Sequence, residues 1–208
     1  MVFELSLEEG TYLVRLARRA VEYYLKTKKK TKVPEDTPQK LLKPCGVFVT
    51  LNSVGLGEKR LRGCIGYPYP SAPLTQAIIE SSINSATQDP RFHPLSQNEV
   101  ENIVFEVSVL TPPEKIEVEK PTEYPLMIKI GKDGLIVENG LNKGLLLPQV
   151  PVEWKWDTQT FLCQCCLKAG LPPDCWLLKN TKIFKFQALI FEENEPKGEI
   201  KRKTLGGK

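Results

Sequence analysis

Residues 46–51 and 59–66 are two short segments of strand-forming composition, and only a Gly-marked turn at 54–58 separates them. Strands joined by so short a connection pair antiparallel, because a parallel crossover needs a dozen residues or more. Strict alternation returns at 103–110, where Ile103, Phe105, Val107 and Val109 make one apolar face and Glu106 and Ser108 share the other. An acidic residue in mid-strand reads either as a functional group or as part of an exposed sheet face. Further strands are expected at 127–130 and 135–137, joined by the hairpin turn Gly131-Lys132-Asp133-Gly134, and at 145–147. The last strand, 183–191, sets Phe184, Phe186, Ala188 and Ile190 on one face.

Helices announce themselves through their caps. Ser6-Leu7-Glu8-Glu9 is a capping box, and Leu13, Leu16, Ala17, Ala20, Val21, Tyr24 and Leu25 follow at helical spacing. That helix gives way to a Lys-rich, Pro-punctuated linker at 27–38. A second helix, 74–88, carries Leu74, Ala77, Ile78 and Ile83 among small residues and stops at Asp89-Pro90-Arg91-Phe92-His93-Pro94. Ser96-Gln97-Asn98-Glu99 is another capping box, Asp157 caps a helix through 169, and Gly170 ends it. Trp154 and Trp156 read as core aromatics, whereas the Pro-broken run 67–73 has no regular structure.

Few βαβ units and several hairpins define an α+β fold, with mainly antiparallel sheets flanked by helices. Pro-marked junctions divide one domain, 1–195, into a larger lobe (1–33 and 97–195) and an inserted smaller lobe (34–96). Residues 196–208 are expected to be a disordered basic tail.

The net charge of +4 is unevenly placed. Lys26, Lys28, Lys29, Lys30 and Lys32 contribute +5 and the segment from 195 onward +3, leaving −4 on the remainder. A mildly acidic body argues against a phosphate-tracking groove, so nucleic acid is expected to meet only the basic linker or tail, weakly and in a salt-sensitive way. No apolar run reaches the length of a membrane span, and the first nine residues lack the features of a signal peptide, so a cytoplasmic protein is expected. Six Cys in such a chain do not imply a secreted disulfide framework, and Cys163, Cys165, Cys166 and Cys175 match no paired zinc spacing. No metal is expected there, and a Cys166–Cys175 disulfide is the alternative if the source is a hyperthermophile.

The chemistry concentrates at Leu61-Arg62-Gly63-Cys64-Ile65-Gly66. Strand alternation puts Arg62 and Cys64 on one face, where a guanidinium stabilises a thiolate. Gly63 and Gly66 open the backbone to a ligand or to a second chain segment. A buried packing Cys, with glycines making room for a helix, is the plainer reading of the same pattern.

Six segments together resemble the AMMECR family: the motif at 61–66, Asp89-Pro90-Arg91-Phe92, Glu106-Val107-Ser108-Val109-Leu110-Thr111-Pro112-Pro113, Gly131-Lys132-Asp133-Gly134-Leu135, the stretch from Leu145 to Trp154 that contains Gln149 and Glu153, and Lys168-Ala169-Gly170-Leu171-Pro172-Pro173. The resemblance implies a two-lobed α+β protein with the 61–66 motif near the contact between lobes. It implies no assigned reaction and no known cofactor. It also implies partnership with a Memo-like protein and a radical S-adenosylmethionine enzyme. One position departs from the family pattern: His93 stands where a second Pro is usual, which argues against a family-wide Cys64–His93 dyad.

Three functional readings use these residues. In an enzyme, Cys64 is the nucleophile or redox thiol, Arg62 its stabiliser, and Asp89, Glu106 or Glu153 the acid-base groups, so Cys64 titrates low. In an anion- or nucleotide-binding module, Arg62, Arg91 and Lys132 hold the ligand, with Gly63, Gly66, Gln149 and Glu153 alongside. In a protein-interaction subunit, Cys64 is merely packed and Tyr67 and Tyr69 face the partner.

Overall fold

A computed structural model describes residues 4–55 and 58–205. Within the expected turn at 54–58, Leu56 and Gly57 lie outside the described residues, as do the two ends at 1–3 and 206–208. The described residues form two compact units, one within 1–110 and 189–203, the other within 111–188 and 204–208.

In the first unit, α1 (Leu7–Thr27) begins at the expected capping box, with Ser6 accepting from the Glu9 amide and Glu9 reaching back to the Ser6 amide. Its apolar stripe lies against a five-stranded sheet ordered β2-β1-β3-β8-β9. The strands are β1 (Gly46–Gly55), β2 (Glu58–Tyr67), β3 (Ile103–Leu110), β8 (Ala188–Glu193) and β9 (Ile200–Lys203). Val47, Val49 and Leu51 of β1 lie opposite Val109, Val107 and Phe105 of β3, so alternation builds one apolar face. That face packs on α1 and on α2 (Leu74–Thr87), whose Leu74, Ala77, Ile78 and Ile83 are all buried. Arg18 ties α1 to the sheet. It is buried and donates to Glu193 of β8 and to the carbonyls of Val100 and Ile103.

The second unit holds a four-stranded sheet ordered β4-β7-β5-β6, from β4 (Glu114–Lys115), β5 (Gly134–Asn139), β6 (Asn142–Leu146) and β7 (Lys182–Phe186). The short helix α3 (Gln149–Glu153) precedes α4 (Thr158–Lys168), which Asp157 caps as expected. Phe161, Leu162, Cys165 and Cys166 of α4 pack on Leu135, Val137 and Ile183. Cys166 is bonded to Cys175, so the disulfide alternative describes this segment.

Several expectations fail for identifiable reasons. The segment 34–96 is no separate lobe: its hairpin pairs with β3 along the whole of that strand, which joins it to 97–110 in one sheet. The strand expected at 127–130 is absent: Met127 ends a 3-10 helix over Pro121–Met127, and the Lys129 backbone is taken up in a turn with Asp133, whose carboxylate accepts the Lys129 amide and whose amide donates to the Lys129 carbonyl. The Gly131-Lys132-Asp133-Gly134 turn therefore only leads into β5, and the hairpin turn falls at Gly140 and Leu141. The expected strand 183–191 is two strands, β7 and β8, in different sheets, and Gln187 between them pairs with Thr111. Residues 200–203 of the expected disordered tail form β9. Trp154 is 67% exposed and stacks on Trp156 rather than entering the core.

Candidate functional site

The 61–66 motif occupies β2, the outermost strand of the first sheet. Leu61 lies opposite Asn52 and Gly63 opposite Leu51, so the register shifts and Arg62 has no counterpart on β1. An extra residue of this kind breaks the two-residue period and re-aims its side chain. Arg62 and Cys64 consequently serve different neighbours. The Arg62 guanidinium reaches the segment after α2, where Nη2 donates to the His93 carbonyl at 2.9 Å and Nε and Nη2 to Glu99 Oε1 at 3.3 Å. Its Nη1 is buried and has no hydrogen-bond partner.

Three further contacts fix this edge of the sheet. The Cys64 amide donates to Asp89 Oδ2 at 2.9 Å. The Ser85 hydroxyl accepts from the Ile65 amide at 2.8 Å and donates to the Val49 carbonyl at 2.7 Å, bridging two residues that face each other across β1 and β2. A Cβ on Gly63 would strike the Ser85 carbonyl oxygen, and one on Gly66 the Val47 carbonyl and Phe48. The close approach these glycines permit is thus made by the chain itself.

Asp89 is the hinge between motif and loop. Besides the Cys64 amide it accepts Arg91 N and Nε on Oδ1 and Arg91 Nη2 on Oδ2, the last at 2.7 Å. The Arg91 guanidinium, reinforced by the two amides, holds the Asp89 carboxyl down at about 2, and the carboxylate in turn pushes Arg91 up.

The thiol sits in a row that runs across three strands. Cys64 faces Thr50, and Thr50 faces Glu106. Thr50 Oγ1 donates to Cys64 Sγ at 3.3 Å, and Lys203 of β9 reaches Glu106 Oε2 at 2.9 Å. Glu106 is buried, contrary to the exposed-face reading. Burial pushes the Cys64 thiol up, and the negative charges of Glu106 and Asp89 add to it against the Thr50 hydrogen bond and Arg91. This is the opposite of the depressed thiol that the enzyme reading requires. The cation acting on Cys64 is Arg91, not Arg62, and the group bonded to the thiol is Thr50, not His93.

Arg62, Pro90, Arg91, Phe92, His93, Pro94 and Glu99 line a surface cleft of about 490 Å³. Both guanidinium groups sit over Phe92, with Arg62 Cζ 5.7 Å and Arg91 Cζ 5.4 Å from the ring centroid. Glu99 belongs to the second capping box, bonded to the Ser96 amide, which together with Arg62 draws its carboxyl below the usual range. In the sequence Phe92 reads only as part of the 89–92 segment and Glu99 only as a cap, and Thr50 and Ser85 carry no signal of their own. The capping box hid Glu99, and strand pairing alone would have brought Thr50 beside Cys64. The remaining nominees, Lys132, Gln149 and Glu153, belong to the second unit: Lys132 on an exposed turn, Gln149 buried at the start of α3, Glu153 exposed at its end. Among the described residues, no group of three or more His, Cys, Asp or Glu side chains is arranged to hold a metal ion, and no helix is long and apolar enough to cross a membrane.

Comparison with known proteins agrees with this architecture. A Pyrococcus horikoshii protein is 58% identical over 99% of this chain and 100% of its own length. A Methanocaldococcus jannaschii protein is 53% identical over 97% of this chain and 98% of its own. The crystal structure of the uncharacterized Pyrococcus horikoshii protein superimposes with a TM-score of 0.94 over 98% of this chain and all of that one. The family model described as AMMECR1 matches residues 14–191. The chain belongs to the AMMECR1 family.

Proposed function

We propose that the first unit is a binding module for a small anion, a carboxylate or a phosphate, taken up in the cleft between Arg62 and Arg91 without covalent chemistry at Cys64. One observation carries this reading: the Arg62 and Arg91 side chains line one cleft of about 490 Å³, and Arg62 keeps an Nη1 without a hydrogen-bond partner. A desolvated guanidinium N–H without an acceptor costs free energy that an oxyanion recovers. The volume suits a small ligand. Arg91, half-exposed and oriented by Asp89, supplies a second donor, and Phe92 between the two cations supplies an apolar floor. The raised Cys64 thiol supports binding over nucleophilic catalysis, because the thiolate is the reactive form.

The test is thermal unfolding and calorimetry with phosphate, pyrophosphate, citrate and a nucleoside monophosphate. At least one ligand is expected to bind saturably in calorimetry and to raise the unfolding midpoint, the stabilisation reaching about 2.7 kcal/mol at a hundredfold excess over Kd. Arg62→Gln abolishes that gain, and Cys64→Ala leaves it within twofold, since only the Cys64 backbone serves the cleft. An Arg62→Gln protein that is stabilised as much as the parent ends the proposal.

A further inference from the structure

α1 buries Leu13, Leu16, Ala17 and Val21 in the first core. On its other side Arg15, Arg19, Tyr23 and Lys26 are exposed, three or four residues apart, so they stand as neighbours along one ridge. The ridge continues beyond the helix. Lys28 closes it in the left-handed conformation, and Lys29, Lys30 and Lys32 follow, all exposed. Residues 15–32 contain a single acid, Glu22, and it is bound to the buried Arg18, which Glu193 also holds. Arg15, Arg19 and Lys26 have no ion-pair partner among the described residues. Seven exposed cations therefore stand along this ridge or just beyond it against a single acid, Glu22, whose carboxylate is drawn to Arg18, and Tyr23, 45% exposed, stands among them.

We propose that this ridge docks single-stranded nucleic acid, the cations following phosphates and Tyr23 stacking on a base. From Arg15 to Lys26 the helix runs about 16 Å, a length over which several phosphates meet side chains. A bilayer is a poorer partner, because the apolar side of α1 is already spent on the core and the ridge has nothing to insert. An acidic peptide satisfies the cations but gives Tyr23 no role, whereas base-on-aromatic stacking is the ordinary complement of a phosphate-tracking surface.

The full chain is titrated into a fluorescein-labelled twelve-nucleotide oligouridylate and read by anisotropy. Binding in the micromolar range at 50 mM salt is expected, weakening about fiftyfold at 200 mM if four cations meet phosphates. The triple variant Arg15→Glu, Arg19→Glu, Lys26→Glu loses at least tenfold at low salt and shows a flatter salt dependence. Tyr23→Ala loses about tenfold with the salt dependence unchanged. Circular dichroism verifies that each variant is folded, and Lys120→Glu, Lys129→Glu, Lys179→Glu in the second unit is the matched charge control. Arg62→Gln leaves oligouridylate binding intact, which separates this surface from the cleft. The proposal is overturned by absent binding at 50 mM salt, by an unaffected triple variant, or by an unaffected Tyr23→Ala. It is equally overturned if polyglutamate competes as well as oligouridylate, or if phosphatidylserine vesicles are bound in its place.

Discussion

Asp89 shows how much one buried carboxylate organises. It accepts the Cys64 amide and three bonds from Arg91, so the sheet edge and the cleft wall meet at a single side chain. Its carboxyl lies near 2 in the fold and near 3.9 in an unfolded chain. Because the folded value is the lower one, this group stabilises the protein above about pH 4, and the stabilisation disappears as pH falls through 2. The gain is on the order of 2 kcal/mol. Asp89→Asn is expected to lower the denaturation midpoint at pH 6 by that amount and to match the parent near pH 2; a constant gap across that range would contradict the assignment. The thiols run the other way. Burial raises Cys64, and it raises Cys165 to about 12, so both hold their protons above the 8.5 or so of a free thiol, and the stability tied to those protons declines once pH exceeds the unfolded value. Alkylation followed by peptide mass spectrometry should label Cys64 only at more alkaline pH than a free thiol, and Cys165 later still. Labelling of Cys64 below pH 7 would restore the nucleophile reading.

At the scale of elements, the close seat of β2 against α2 is decided by Gly63. Ala at that position brings a methyl onto the Ser85 carbonyl, backbone against backbone, and is expected to cost about 1–3 kcal/mol in denaturant midpoint at unchanged slope. The Arg18–Glu193 pair fastens α1 to the sheet and to the turn carrying Val100, just beyond the cleft residue Glu99. Glu193 is fully buried, so Arg18→Ala strands a charge and should cost about 3–5 kcal/mol. Much of this framework was legible beforehand. The capping box at Ser6, the β1–β2 hairpin, the apolar faces of α1, α2 and β3 and the stop after Asp157's helix all follow from local periodicity and cap chemistry. What local rules missed was non-local. A bulge opposite Leu51 and Asn52 undid the expected partnership of Arg62 with Cys64, and Lys203, far along the chain, pairs with Glu106. Neither pairing leaves a trace in spacing. Gln187, where one apparent strand passes between two sheets, is equally silent, because both halves alternate correctly.

At the scale of the whole chain, two cores were built by different means. The first gathers its apolar side chains from α1, α2 and five strands. The second is smaller and places the Cys166–Cys175 bond among Phe161, Leu162 and Trp176. Closing a loop with a sequence separation of 9 residues restricts the unfolded chain by about 2–3 kcal/mol. A Cys175→Ser protein should lose that amount from the second unit. The measurement can be confined to it, because all three Trp, at 154, 156 and 176, lie there. Trp fluorescence against denaturant is therefore expected to shift to a lower midpoint, and adding reductant to the parent should move its curve onto that of the variant. Phosphate, if it occupies the Arg62 cleft, should protect amides of β2 and the 89–99 segment from hydrogen exchange equally in the parent and in Cys175→Ser. A Trp transition that ignores both reductant and Cys175→Ser would show that packing around Phe161 holds this core without help from the covalent bond.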